Sequence, residues 1–412
     1  MPASAALPAH EHTEDPAVGG RLPAVLLMAG SCLPILGAVL IAPVLPRMQD
    51  HFGDVPGNAA LVPLVLTVPA LSLAVLAPFA GALVDRLGRK RLLVTATVLY
   101  TLFGTAPLWL SSLYGIVASR VLVGIAEAAI MTCCTTLIGD YYTGRTRDRY
   151  LALQTMCASA SATLFFVLGG ALGSAGWRAP FWLYLVGLLL APAMARVLPA
   201  PQPAALPAGE PTAADRRPFP LRRMAGICLL TVFGAAVFYT VPVEMSYLMD
   251  DLGVHSTGVV GAATALASAA TVLGSVLFTR LADRARRRLP AVLAVCAAGF
   301  VLMGATDRLP LLIAGAVVNC VGTGMLLPSL LTVALSRLAY ADRGRGTGLW
   351  TSAFFLGEFA CPLALLAARN ALGTLASAVL LLGILTLLVS AALLPLTRRA
   401  PEALPQAAPE SV

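Results

Sequence analysis

Apolar residues run along this chain in twelve long blocks, at 22–44, 59–80, 92–110, 113–138, 151–172, 180–198, 224–247, 258–278, 290–306, 311–335, 347–367 and 372–394. Short polar or basic segments part them. Each block comes close to or exceeds the roughly 20 residues that a helix needs to cross about 30 Å of hydrocarbon. A helix satisfies its own backbone hydrogen bonds within lipid, so the pattern predicts an all-α membrane protein with twelve transmembrane helices. Residues 1–20 are polar, acidic and rich in Pro and Ala, without a basic stretch leading into a short apolar core and cleavage site. They read as a disordered tail, and the first block as a retained helix.

Composition agrees with lipid as the main solvent: 58% of residues are hydrophobic and 12% charged, against about a quarter charged in a soluble domain. The net charge of +8 does not point to nucleic acid, because Arg and Lys occur in short clusters between apolar blocks rather than on one amphipathic face. Their placement speaks to topology. Of the 28 basic residues, Arg47, Arg178, Arg308 and Arg369 fall in the odd-numbered connections, Arg120 falls well inside a block, and all the rest lie in the even-numbered connections and the ends, counting Arg196 at the edge of the sixth block with the connection that follows it. The positive-inside rule then predicts both termini in the cytoplasm, with the chain in the cell (inner) membrane.

One connection is long. Residues 199–223 hold seven prolines with Arg216, Arg217, Arg222 and Arg223, a composition suited to a cytoplasmic linker. The expected organisation is therefore a tail at 1–20, a six-helix bundle at 21–198, the linker at 199–223, a second six-helix bundle at 224–396 and a tail at 397–412. The two halves echo one another. Gly81-Ala-Leu-Val-Asp85-Arg86-Leu-Gly88-Arg89-Lys90 follows the second block and Thr279-Arg280-Leu-Ala-Asp283-Arg284 follows the eighth, about 200 residues later. Arg147 to Leu153 and Arg343 to Leu349 form a weaker echo at nearly the same spacing. Such repeats are typical of secondary transporters.

Residues 81–90 resemble the signature between helices two and three of the major facilitator superfamily, G-x-L-x-D-R-x-G-R-K. Arg120 with Gly124 is similar to that family's arginine motif in helix four, Gly176-Trp177-Arg178-Ala-Pro180-Phe181 to its loop entering helix six, and Phe355 to Pro362 to helix eleven of drug and sugar efflux permeases. The chain departs from the pattern in two places. Val123 stands where Gln is frequent, and Phe166-Val-Leu-Gly169-Gly170-Ala-Leu-Gly173 lacks the Gly-Pro pair of the antiporter motif. The resemblance implies two pseudo-symmetric bundles that rock about a central site, and a conformational latch at Gly81, Asp85, Arg86, Gly88 and Arg89 with its counterpart at Asp283 and Arg284. Physically, the glycines allow a tight turn, Asp85 can accept hydrogen bonds, and the cations meet anionic headgroups. Topology alone accounts for Lys90, Arg91, Arg286 and Arg288.

Ionisable groups at membrane depth are costly and default to the bundle interior. Arg120 and Glu127 share one helix face two turns, about 10 Å, apart; they can bracket a substrate or form a buried ion pair that positions helices. Glu358 carries Trp350 and Phe354 on its own face, an arrangement suited to a proton carrier or to a cation held against aromatic rings, or to plain packing. Glu244, two residues after Pro242, is a gate residue or a solvated rim. Gln154 and Asn319 can hydrogen-bond substrate or join helices. All eight cysteines lie in apolar blocks, and no zinc spacing, catalytic His motif or nucleotide-binding loop is present, so neither metal, cofactor nor enzymatic chemistry is expected. The expectation is a monomeric, proton-coupled exporter of small hydrophobic or amphipathic, drug-like compounds. Uptake or exchange of a small organic anion or sugar, with Arg120 as a carboxylate clamp, is the alternative, and a non-transporting sensor a remote one.

Overall fold

A computed structural model describes residues 20–199, 221–281, 285–336, 338 and 342–398. Twelve of its helices are long and apolar enough to cross a membrane: α1 Arg21–His51, α2 Asn58–Leu76, α3 Arg89–Leu108, α4 Leu113–Tyr141, α5 Gly144–Gly173, α6 Ala179–Val197, α7 Met224–Asp251, α8 Thr257–Arg280, α9 Arg287–Gly304, α10 Leu309–Leu335, α11 Arg343–Leu372 and α12 Leu375–Pro395. No strand occurs among the described residues.

Proline explains the irregularities. α1 is built in pieces, Arg21–Ser31, Leu33–Val39, a 3₁₀ turn at Ala42–Val44 and Leu45–His51, with Pro34, Pro43 and Pro46 each at the start of a piece, where a missing N–H is tolerated. The second apolar block extends to residue 80, but α2 stops at Leu76, because Pro78 has no N–H to continue the helix ladder, and the Phe79 N–H turns back to the Leu76 carbonyl at 2.9 Å. α5 instead begins at Gly144, ahead of its apolar block, so that Arg145, Arg147 and Arg149 form a polar first turn and a half.

Packing repeats across the halves. In the first, α4 packs on α2 and α3, and α3 on α6; in the second, α10 packs on α8 and α9, and α9 on α12. Advancing each helix by six maps one set onto the other. The same operation exchanges the two main seams between halves, α2 against α11 and α5 against α8, which gives two pseudo-symmetric six-helix bundles in the major facilitator arrangement. α1 and α7 also meet.

The basic residues that follow α2 and α8, equivalent helices of the two halves, mark one end of each half, here the basic end. At the opposite end the halves are joined closely. Arg47 donates from Nη1 to the Gly173 carbonyl (2.8 Å) and from Nη2 across the seam to the His255 carbonyl (3.3 Å). The Thr257 hydroxyl donates to the Gly170 carbonyl at 2.9 Å. A Cβ on Gly261 would lie 2.5 Å from the Phe166 carbonyl oxygen and 2.8 Å from the Gly170 Cα, so only glycine permits this backbone contact.

Candidate functional site

Between the halves lies a cavity of about 390 Å³. α1, α2, α4 and α5 line it from one half and α7, α8, α10 and α11 from the other, with Phe238, Phe354, Phe355, Phe166 and Met131 among its apolar walls. Two carboxylates reach it, Glu127 from α4 and Glu358 from α11, one from each bundle and only 2% and 6% exposed. Glu127 sits against Gly37 of α1, where any Cβ would overlap its carboxylate. Its Oε1 is buried without a hydrogen-bond partner among the described residues. No Arg, Lys or His is among the described residues lining the cavity. Leaving an ionised carboxylate unpaired in such surroundings is expensive. Either a proton or a cationic ligand removes that cost.

Tyr239 of α7 lines the same space and donates its hydroxyl to the Ala38 carbonyl of α1, tying the halves beside the carboxylates. Trp350 and Phe354 stack at 5.8 Å with planes 9° apart, and Phe238 joins Phe354 at 6.0 Å. Of this group Phe354 and Phe238 line the cavity, while Trp350 lies behind, its indole Nε1 buried without a partner among the described residues. Thr155, Ser159 and Ala162 on α5 face the cavity at helical spacing, as do Thr264, Ser268, Thr271 and Ser275 on α8. Thr163 donates to Ser268 across the seam at 3.2 Å. Sequence reasoning passed over Tyr239 and these hydroxyls. Their signal was the i, i+4, i+7, i+11 stripe at 264, 268, 271 and 275, which resembles ordinary small-residue packing until the partner half is known.

Arg120 is placed elsewhere. It lies on the Glu127 side of α4, as the seven-residue spacing requires, yet no ion pair joins the two among the described residues. Its guanidinium turns into the first bundle, donating to Tyr184 Oη (2.9 Å) and to the carbonyls of Phe103 (3.1 Å) and Gly104 (2.9 Å). The rings of Phe181 and Tyr184 flank it at 5.2 and 5.0 Å. It does not line the cavity, so the clamp reading has no geometry behind it, and the ion pair with Glu127 is replaced by helix-end carbonyls.

Gln154 donates to Ser31 (2.7 Å) and Thr135 (3.1 Å), and Asn319 to the Cys296 carbonyl (3.1 Å); both join helices within a bundle, away from the cavity. Glu244 is 5% exposed and lies outside the cavity, in a small space of about 30 Å³ nearer the opposite end. In the basic-end motif, Gly81 and Arg86 are exposed in the short helix Ala80–Leu87, and Gly88 turns the chain into α3 with φ of 82°. Arg89 pairs with Asp140 at the end of α4, a partner the motif itself does not reveal. Lys90 donates to the Leu198 carbonyl at 2.5 Å, which ties α3 to the end of α6. The Asp85 side chain, Asp283 and Arg284 lie outside what is described.

A twelve-span molecule with two repeated bundles around a shared, two-carboxylate cavity is a solute carrier. Residues 27–253 and 227–411 match the sequence profile of the Major Facilitator Superfamily, and the chain belongs to that family. It is a multi-pass membrane transporter and not an enzyme. Its relatives include Multidrug resistance protein 1 of Bacillus subtilis, 28% identical over 256 residues (58% of this chain, 64% of the relative). They also include the class C tetracycline resistance protein of Escherichia coli, 31% identical over 162 residues (38% and 39%), and a sphingosine-1-phosphate transporter of Mus musculus, 31% identical over 154 residues (37% and 28%). The matched segments span less than two thirds of each relative's length. Among solved structures, a bacterial homolog of the human lysosomal transporter Spinster, inward-facing and unoccupied, aligns with a TM-score of 0.69 at 17% identity over 92% of this chain and 97% of that one. The human organic anion transporter MFSD10 aligns at 0.65 and 19% identity, over 92% and 100%. At these identities the likeness is one of fold.

Proposed function

We propose that this transporter exports lipophilic, cationic, drug-like compounds in exchange for protons, from the cytoplasm across the inner membrane, as a monomer with both termini inside. The observation that carries this reading is the pairing of Glu127 and Glu358, one per bundle, in a cavity otherwise apolar and aromatic and with no lining cation among the described residues. A cation held against Phe238 and Phe354 has electrostatic attraction from the ring faces as well as from a carboxylate. Because a proton and a cationic substrate relieve the same buried charge, they compete for it, and alternating exposure of the cavity to the two sides turns competition into exchange. Two relatives are named for multidrug and tetracycline resistance, which supports a drug-like substrate. The cavity favours cations over anions such as a phosphate-bearing lipid, since the anion would face two carboxylates with no lining Arg or Lys among the described residues to receive it.

The test is export from proteoliposomes driven by an imposed pH gradient, with tetraphenylphosphonium as probe. Glu358→Gln is expected to reduce gradient-driven transport to the level of empty vesicles, and Glu127→Gln to weaken probe binding at least several-fold and flatten its pH dependence. Full coupling in both variants, or transport of an organic anion in preference to the cation, rejects the proposal.

A further inference from the structure

We propose that Glu244 is a second proton-binding site, separate from the central cavity, which holds the opposite end closed when protonated and lets it open when ionised. The small space beside it is walled by Gln49 of α1 and Ala59 and Pro63 of α2 in one half, and by residues of α7, α11 and α12, among them Arg369, in the other. It therefore straddles the same end that Arg47, Gly170 and Thr257 close on the α5/α8 side. Its volume of about 30 Å³ exceeds the roughly 10–15 Å³ that one water needs. It also has polar walls. The Tyr247 hydroxyl is buried there without a hydrogen-bond partner among the described residues, and Glu244 makes no ion pair within 4.0 Å. An orphaned phenol, an unpaired carboxylate and a guanidinium around one water-sized space make a site for a water that bridges Glu244, Tyr247 and Arg369.

Electrostatics then sets the direction of the switch. From α11, Arg369 shares this space with Glu244, and on α7 itself Asp251 stands seven residues, two turns, further along. Asp50, next to Gln49 at the end of α1, and Asp250, which is paired with His255 at 2.6 Å, also carry charge at this end. Among the described residues, α2 contributes only Ala59 and Pro63 to the wall. Arg369 belongs to the same half as Glu244, so attraction between them does nothing to hold the halves together. What the first half brings against Glu244 is apolar, apart from the Gln49 amide. Closing the seam therefore strips water from the carboxylate while supplying no countercharge, which a neutral acid tolerates and an anion does not. Protonation from that side favours closure, and loss of the proton favours reopening.

Backbone hydrogen–deuterium exchange of the full chain in nanodiscs tests this, read at 48–58 and 250–257 and corrected for the intrinsic pH dependence of exchange. In the wild-type chain, protection at these segments is expected to fall as pH rises. Glu244→Gln, permanently neutral, is expected to stay protected at every pH. Glu127→Gln and Glu358→Gln are expected to keep the wild-type profile, which separates this site from the cavity whether or not cation export is correct. A Glu244→Gln profile that follows the wild type overturns the proposal, as does loss of the switch in either cavity variant. If Glu244→Gln is not recovered folded, Glu244→Asp reads the same question: a displaced midpoint supports the site and an unmoved one overturns it.

Discussion

At the scale of single residues, burial was legible and direction was not. Glu127 and Glu358 stand out in any reading because a carboxylate inside an apolar block is rare and costly, and both are buried; Glu244, for which a solvated rim was as consistent with the sequence as a gate, is buried too. Which space each one enters depends on helix rotation against neighbours far away in sequence. Glu127 and Glu358 come together across the halves, Glu244 stands apart, and Arg120, on the Glu127 side of α4, points into its own bundle. Two of its hydrogen bonds go to the carbonyls of Phe103 and Gly104 near the end of α3, where helix geometry leaves acceptors unused. Nothing in the α4 sequence announces that partner. Hydrogen bonds to a charged group are worth about 1.5–3 kcal/mol each, and Arg120 makes three. Arg120→Leu is accordingly expected to lower thermal stability in detergent markedly, while any folded fraction binds tetraphenylphosphonium with near-wild-type affinity. Scanning fluorimetry with a binding assay on the same sample checks this; intact stability with lost affinity would return Arg120 to the substrate site.

At the scale of helices, the apolar blocks located all twelve spans, and the misplaced ends have local causes in Pro78 and in the basic first turns of α5 and α11. Contacts between helices were less accessible. The Gly169-Gly170-Ala-Leu-Gly173 run is visible in sequence as a departure from an antiporter motif, but its use as a backbone contact with Gly261 appears only once α5 and α8 are side by side. Arg47 was likewise an exception to the charge tally and proves to be a cross-half donor. Both features bear on the closed opposite end. Gly261→Leu places a side chain where only backbone could yield, and Arg47→Ala removes a charged donor worth about 1.5 kcal/mol or more, close to a tenfold shift in a two-state equilibrium. A cysteine at Ala38, which lines the cavity, is therefore expected to react faster with a membrane-impermeant maleimide added at the opposite side in either variant. Labelling at the wild-type rate would mean that these contacts follow closure instead of holding it.

At the scale of the whole molecule, duplication was readable because the basic-end motif and its echo recur at one spacing, and the helix contacts repeat with the same six-helix step. The state of the carrier was not, since one sequence must encode every state of the cycle and the favoured one depends on small differences between seams. The division expected from composition at 199–223 has a physical consequence. Helices α2, α3, α4 and α6 pack among themselves, as do α8, α9, α10 and α12, whereas the halves meet mainly along α2 with α11 and α5 with α8. If each bundle holds its own core, the linker contributes proximity rather than packing. A chain cut within 199–223 and expressed as two fragments is then expected to copurify as a pair and to retain tetraphenylphosphonium transport, at reduced yield because association has become bimolecular. A cut between α9 and α10 gives the contrasting case, since it separates α7, α8 and α9 from the partners that bury them and should leave neither fragment in the membrane fraction. Equal survival of both cuts would mean that the helices fold as one continuous body, and that rocking of two units about the Glu127–Glu358 cavity is the wrong description of the cycle.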